Sequence, residues 1–215
     1  MTFEDLTHHL SHQLTMELPG ATGQAEMALL KRPGLAQLKK MRKTPKQSAV
    51  MILFYPVDGV PNFCLTQRPE YNGPHSGQIS FPGGKVEPED LNLEATALRE
   101  TQEEVGVNPN QVTVLGQVTE VYIPPSNFLV TPFVGYTEQL PEFIMQPEEV
   151  VEILNVPIST LLDESIVKSK AIKMGPGGIK LKAPYYDIQN KVVWGATAIM
   201  LAEVKQILIK SVHNT

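Results

Sequence analysis

The chain has 215 residues, 42% of them hydrophobic, enough to bury one substantial core. Its net charge of -5 and isoelectric point near 5.6 exclude the broad basic face that captures duplex nucleic acid. A single cysteine, Cys64, excludes an intramolecular disulfide framework; with no secretory leader pattern and no apolar run of membrane-spanning length, the expectation is a soluble, cytoplasmic protein bound to neither membrane nor nucleic acid.

Residues 1–46 read as an N-terminal helical extension. Leu6, Leu10 and Leu14 are spaced for one helix face, Pro19-Gly20 breaks the pattern, and seven of the 18 basic residues then fall between Lys31 and Lys46. That basic run is expected to be a solvated face rather than a phosphate site. From 47 to 215 the chain reads as one domain. Residues 48–55 and 62–66 are β-rich and joined through Pro56-Val-Asp-Gly59, a hairpin signal. A loop from Pro69 to Gly77, rich in Gly and Pro, carries His75 and leads through Ile79-Ser-Phe81 into Pro82-Gly83-Gly84. The pattern from Leu91 to Val105 is helical, and Gly106 is placed to cap it. Further β-like runs occupy 112–118, 130–136 and 171–181. The last is interrupted by Gly175-Pro-Gly-Gly178, which lacks the Gly-Lys-Ser/Thr ending of a phosphate loop and reads as a hairpin turn. A short helix near 159–162 and a closing helix over 195–211 complete the series. Strands and helices mixed without regular βαβ alternation predict an α+β fold or a layered α/β/α sandwich.

The chemistry concentrates in Arg99-Glu-Thr-Gln-Glu-Glu-Val-Gly-Val107. At about 100° per residue, Glu100, Glu103 and Glu104 share an arc of roughly 100°. Leu98, Thr101 and Val105 lie on the neighbouring arc and are expected to face the core. Arg99 stands four residues before Glu103 and can pair with it. Carboxylates this close repel one another, and a hard cation such as Mg²⁺ or Mn²⁺ would relieve them. An isolated acidic triplet reads as a solvated face. The preceding Gly83-Gly84 favours a site, because glycines let backbone approach a metal or phosphate closely. Glu148, Glu149 and Glu152 form a second acidic cluster, readable as acids stabilising a helix N-terminus. His75 reads as a loop histidine or a phosphate contact. Tyr122, Phe128, Tyr185, Tyr186 and Trp194 read as buried aromatics or as stacking surfaces for a base.

Gly83-Gly84, followed by Arg99-Glu100-x-x-Glu103-Glu104-x-Gly106-Val107, resembles the Nudix box. The resemblance implies a Nudix-like α/β/α sandwich with a mixed sheet, and metal-dependent hydrolysis of a nucleoside diphosphate linked to another moiety. It implies Glu100, Glu103, Glu104 and Gly84 as holders of Mg²⁺ or Mn²⁺, Glu103, Glu104 and Glu149 as catalytic carboxylates, and Arg99 and Gly106 as structural support. Leu91 stands where the family has a Glu, and Glu87 or Asp90 could replace it; Thr101 stands at an apolar position. Leu65-Thr-Gln-Arg68, Gly77-Gln-Ile-Ser-Phe-Pro-Gly-Gly84, Thr96-Ala-Leu-Arg-Glu-Thr101, Glu149-Val150 and Val193-Trp-Gly-Ala-Thr-Ala198 are similar to the coenzyme A pyrophosphatase branch, over about 47–205. That likeness implies coenzyme A or acyl-CoA as substrate, with Arg68, Gly83, Gly84 and His75 as substrate contacts. A guanidinium suits two-pronged phosphate binding. The branch has an Arg where this chain has Gly73 and a small residue where it has Pro69. ADP-ribose, NADH, dinucleoside polyphosphates and nucleotides therefore stay open as substrates. The three retained carboxylates weigh against a third reading, a non-catalytic nucleotide-binding module. Homodimer formation is left open.

Overall fold

The computed structural model describes residues 1–29, 35–40, 44–71, 76–173 and 180–210. His75, Gly73, the Gly175–Gly178 turn and, of the basic run, Lys31, Arg32, Arg42 and Lys43 lie outside the described residues. The helices α1 (Phe3–Gln13), α2 (Gly20–Gln24) and α3 (Leu35–Lys40) precede β1 (Lys46–Val57), β2 (Val60–Gln67), β3 (Ile79–Ser80) and β4 (Gly83–Lys85). Next come α4 (Leu93–Val105), β5 (Thr113–Gln117), β6 (Val121–Ile123), β7 (Phe128–Tyr136), β8 (Glu152–Pro157) and α5 (Ile158–Leu162). The chain continues through β9 (Val167–Lys173), β10 (Lys180–Ile188) and β11 (Lys191–Val193) to α6 (Gly195–Ile209).

Strand β1 explains the layering. Its side chains alternate between two apolar environments: Ala49, Met51, Leu53 and Tyr55 meet Ala97 and Val105 of α4, while Ile52 and Phe54 join α1 and α6. A strand buried on both faces is central, and helices must cover each side. β1 pairs in parallel with β7 and antiparallel with β2 at one end and β4 at the other. β2 also carries β3 and β8, and β7 also carries β5 and β6. The result is a mixed sheet in an α/β/α sandwich, as the sequence predicts. β9, β10 and β11 form a separate antiparallel sheet. No described helix is long and apolar enough to cross a membrane.

Several local outcomes differ from the expectation. The β1–β2 hairpin turns on Asp58 and Gly59 alone, at φ 50° and 78°, the two left-handed residues of a tight hairpin turn. Pro56 and Pro61 sit opposite each other inside the strands. α4 begins at Leu93 rather than Leu91, because Asn92 Oδ1 accepts from Ala95 N at 2.8 Å and caps it. Leu91 is 93% exposed. β6, β8 and β11 were not foreseen: three residues are too few for a periodicity, and the acidic start of β8 hides its pairing with β2. Residues 1–29, read from the sequence as a helical extension, pack into the principal core. Leu6 and Leu10 are fully buried there, and the buried Glu203 of α6 accepts from Gly20 N (3.0 Å), Gln24 Nε2 (2.8 Å) and Thr119 Oγ1 (2.7 Å). Those bonds satisfy a carboxylate that would otherwise be costly to bury.

Candidate active site

Two consecutive glycines bring β4 against both β1 and α4. Gly83 has φ 153°, and a Cβ on it would collide with the Ala49 carbonyl and Val50 Cα. A Cβ on Gly84 would overlap the Glu100 carboxylate. The bare backbone at 84 is therefore the seat of Glu100. Adding one methyl in so tight a place costs about 1–3 kcal/mol or displaces the acid. Gly84→Ala is expected to weaken Mn²⁺ affinity about tenfold, roughly 1.4 kcal/mol, in calorimetry of the purified protein; unchanged affinity would exclude Glu100 as a ligand.

Helix α4 supplies the remaining acids, held at its C-terminal end by Gly106. That residue caps the helix at φ 77°, and a Cβ there would lie 2.7 Å from Ile144 Cβ. Glu104 is 1% exposed; Gly83 N donates to its Oε2 at 3.2 Å and Arg68 Nη1 to its Oε1 at 3.4 Å. Burial pushes its carboxyl up to about 8, against the opposing pulls of Arg68 and the Gly83 amide. Burial raises Glu100 as well, against the pull of Arg99. Glu103, by contrast, has a side chain 54% exposed. The shared arc is thus real but splits by depth: Glu100 and Glu104, four apart, turn inward, and Glu103 turns out. Leu98 is only partly buried, while Thr101 and Val105 reach the core.

Arg99 ties these acids together with every N–H it has. Nε and Nη2 grip Asp90 Oδ1 and Oδ2 at 2.8 and 3.0 Å; Nη1 reaches Glu100 Oε1 at 3.0 Å and Glu103 Oε2 at 2.8 Å; Nη2 also donates to the Lys85 carbonyl at 3.2 Å. Asp90 further accepts from Glu87 N (2.8 Å) and Thr96 Oγ1 (2.9 Å). The hydrogen bond from Arg99 leads the interactions that hold its carboxyl well below the usual range. Of the two acids weighed as substitutes at Leu91, Asp90 is the one bound to Arg99; Glu87 offers its backbone amide instead.

Glu149 arrives from outside the helix. Ile144 N and Gln146 N donate to the Val105 and Glu104 carbonyls (2.9 and 3.1 Å), and Val151 N donates to Gln67 O (2.9 Å). The intervening turn is therefore pinned at both ends, and its charge contributes to raising Glu100 and Glu104. Residues 147–149 form a turn rather than a helix, so the helix-dipole account of these acids does not apply. Glu152 points elsewhere, pairing with Lys191 Nζ at 2.6 Å.

The donor set is all hard oxygen, with two of the acids desolvated beside bare backbone, and this chemistry fits Mg²⁺ or Mn²⁺. Among the described residues, no three metal-ligating side chains form a ready cage. Arg99 clasps two of the acids, and Mg²⁺ ordinarily takes one or two carboxylates together with substrate phosphates.

The family model for the NUDIX domain matches residues 45–172. An uncharacterized Nudix hydrolase, NudL, of Photorhabdus laumondii is 34% identical over 146 residues, covering 68% of this chain and 76% of that protein. Its namesake in Yersinia pestis is 33% identical, covering 68% of this chain and 72% of its own length. Among solved structures, the Nudix hydrolase RenU of M. smegmatis shares the fold at TM-score 0.52 and 15% identity, over 80% of this chain and 89% of its own. The MutT protein of Methanosarcina mazei Go1 does so at 0.51 and 19%, over 78% and 97%.

Proposed function

The chain belongs to the Nudix family, and on that premise we propose that it hydrolyses coenzyme A or acyl-CoA to 3′,5′-ADP and (acyl-)4′-phosphopantetheine. The observation that carries the reading is the pair of desolvated acids, Glu100 and Glu104, beside the bare backbone of Gly83-Gly84. The stretch from Leu65 to Gly84 supports the substrate class. Mg²⁺ or Mn²⁺, held by Glu100, Glu103, Glu104 and the Gly84 carbonyl, would neutralise phosphate charge and acidify a bound water. Arg68, with a side chain 29% exposed beside Glu104, can offer a guanidinium to a phosphate oxygen. Glu149 is exposed, close to both inner acids, and free of ion pairs among the described residues, which suits it to accept the proton of the attacking water. Water adds to one phosphorus, the bond from that phosphorus to the bridging oxygen breaks, and the other phosphate leaves.

A panel of coenzyme A, acetyl-CoA, ADP-ribose, NADH and a dinucleoside polyphosphate, assayed with Mg²⁺ or Mn²⁺ and read by mass spectrometry, tests this. Coenzyme A should yield 3′,5′-ADP. Rapid cleavage of another member with coenzyme A untouched would overturn the substrate and favour the alternative that Gly73 and Pro69 motivate. Glu149→Gln should lower kcat about 10²-fold with little change in KM, as loss of a general base does; an undiminished kcat would remove Glu149 from that role.

A further inference from the structure

Two arginines serve the carboxylates, and they are held in opposite ways. Arg99 is fixed by hydrogen bonds of 2.8 to 3.2 Å to Asp90, Glu100, Glu103 and the Lys85 carbonyl. Arg68 makes one side-chain contact among the described residues, from Nη1 to Glu104 Oε1 at 3.4 Å. A good N–H to carboxylate bond is about 2.7–2.9 Å long, so this one is loose. The looseness is confined to the head group. Arg68 N donates to Gln78 O at 3.0 Å, and the preceding residue, Gln67, accepts from Val151 N at 2.9 Å and pairs with both β3 and β8. A guanidinium 29% exposed and weakly held, on a backbone tied on every side, can swing without disturbing the strand.

Glu104 needs that contact. Its side chain is 2% exposed, its Oε2 already accepts from Gly83 N at 3.2 Å, and Arg68 is the cation paired with it among the described residues. A buried carboxylate without a counter-charge is costly, so in the metal-free protein Arg68 stabilises the ionised acid. A divalent cation held by Glu104 competes for the same oxygen. Two cations cannot both sit against Oε1 without bringing like charges together in a poorly hydrated place. The divalent ion carries twice the charge and binds oxygen directly, so it wins the exchange. The guanidinium is then left beside the metal with its donors open, where a diphosphate offers paired oxygens to a planar fork.

We propose that Arg68 is a placeholder cation: it neutralises Glu104 in the metal-free protein and passes to a phosphate oxygen of the substrate once a metal ion has taken the acid. The proposal rests on Glu104 being a metal ligand, and it holds for any diphosphate substrate. Assembly of the site is then ordered, metal before phosphate, because Arg68 is released only when Glu104 changes partner. The test needs no turnover. Crystals of the full-length wild type soaked in Mn²⁺, whose anomalous scattering locates the ion, should show the metal on Glu104 and Arg68 Nη1 beyond hydrogen-bond reach of Oε1. Calorimetric Mn²⁺ titrations of wild type, Arg68→Met, Glu104→Gln and the double variant supply a second readout. Methionine keeps the apolar stem and removes the charge. Arg68→Met should bind Mn²⁺ about tenfold more tightly than wild type, the lower end of what a hydrogen bond between charged groups supplies, and the gain should vanish in the Glu104→Gln background. A merely structural role, with Arg68 holding Glu104 in place, gives the opposite sign, since a misplaced acid binds metal less well. Equal or weaker binding by Arg68→Met, or a loaded crystal in which Arg68 keeps its contact with Glu104, overturns the exchange while the metal site stands. Mn²⁺ bound away from Glu104, with Glu104→Gln leaving the affinity unchanged, overturns the site reading itself.

Discussion

Glu104→Gln is expected to lower kcat/KM about 10³-fold and, in the same protein freed of metal, to raise the melting temperature. The two signs come from one cause. Glu104 is 1% exposed, and burial raises its carboxyl to about 8. A group whose folded value lies above its unfolded one binds more protons when folded, so it adds stability at low pH. That contribution is lost as pH rises from about 4.5 towards 8. Metal-free wild type should therefore weaken across this window, while the glutamine variant should not share that fall. Glutamine keeps an oxygen to accept from Gly83 N, so the fold loses little. At pH 8 a gain of about 1 kcal/mol would raise Tm by roughly 2–4 °C in a chain of this size. On the proposed role of Glu104, catalysis would lose a charged ligand, for which several kcal/mol and about 10³ in rate are the expected scale. Thermal melts with a chelator, paired with steady-state assays in Mg²⁺, check both. A variant that melts lower than wild type at pH 8 and turns over normally would remove Glu104 from the site.

This opposition shows why part of the site was legible in the sequence and part was not. The spacing of Glu100, Glu103 and Glu104 places three acids on one arc, and the arc is there. What spacing does not encode is depth. Glu103 stays in solvent and Glu104 does not, because Gly83 and Gly84 let β4 close over one edge of the helix. The glycines were visible as a motif, but the collision that a Cβ would cause depends on β1, which pairs with β4 across more than thirty intervening residues. The central hairpin and α4 follow from period-2 and period-3.6 patterns. β6 and β11 carry too few residues for either.

Arg99→Ala is expected to cost the most stability of any substitution at the site. All five N–H groups of the guanidinium are used, and three of their partners are carboxylates. Asp90 and Glu100 have side chains only 4% and 11% exposed, so removing Arg99 leaves two poorly hydrated acids without a cation, Asp90 keeping only its bonds from Glu87 N and Thr96 Oγ1. Breaking a buried pair by deleting one partner costs about 3–5 kcal/mol. Asp90 now sits well below the usual carboxylate range, so it stabilises the fold above its unfolded value and loses that contribution as pH falls through the folded one. Without Arg99 the acid-side loss should begin at higher pH, nearer the ordinary carboxylate value. Arg99→Lys separates charge from shape: an ammonium keeps the attraction to Glu103 but cannot grip both Asp90 oxygens while reaching Glu100 and Lys85 O. It should recover part of the stability and little of the activity. Glu100 loses the partner that fixes it beside Gly84, and a carboxylate free to rotate is a poorer ligand. Urea unfolding at pH 5 and pH 7 for wild type, Arg99→Ala and Arg99→Lys checks the order. Equal stability of all three would mean that Asp90 and Glu100 find other partners and that Arg99 is not the brace of this site.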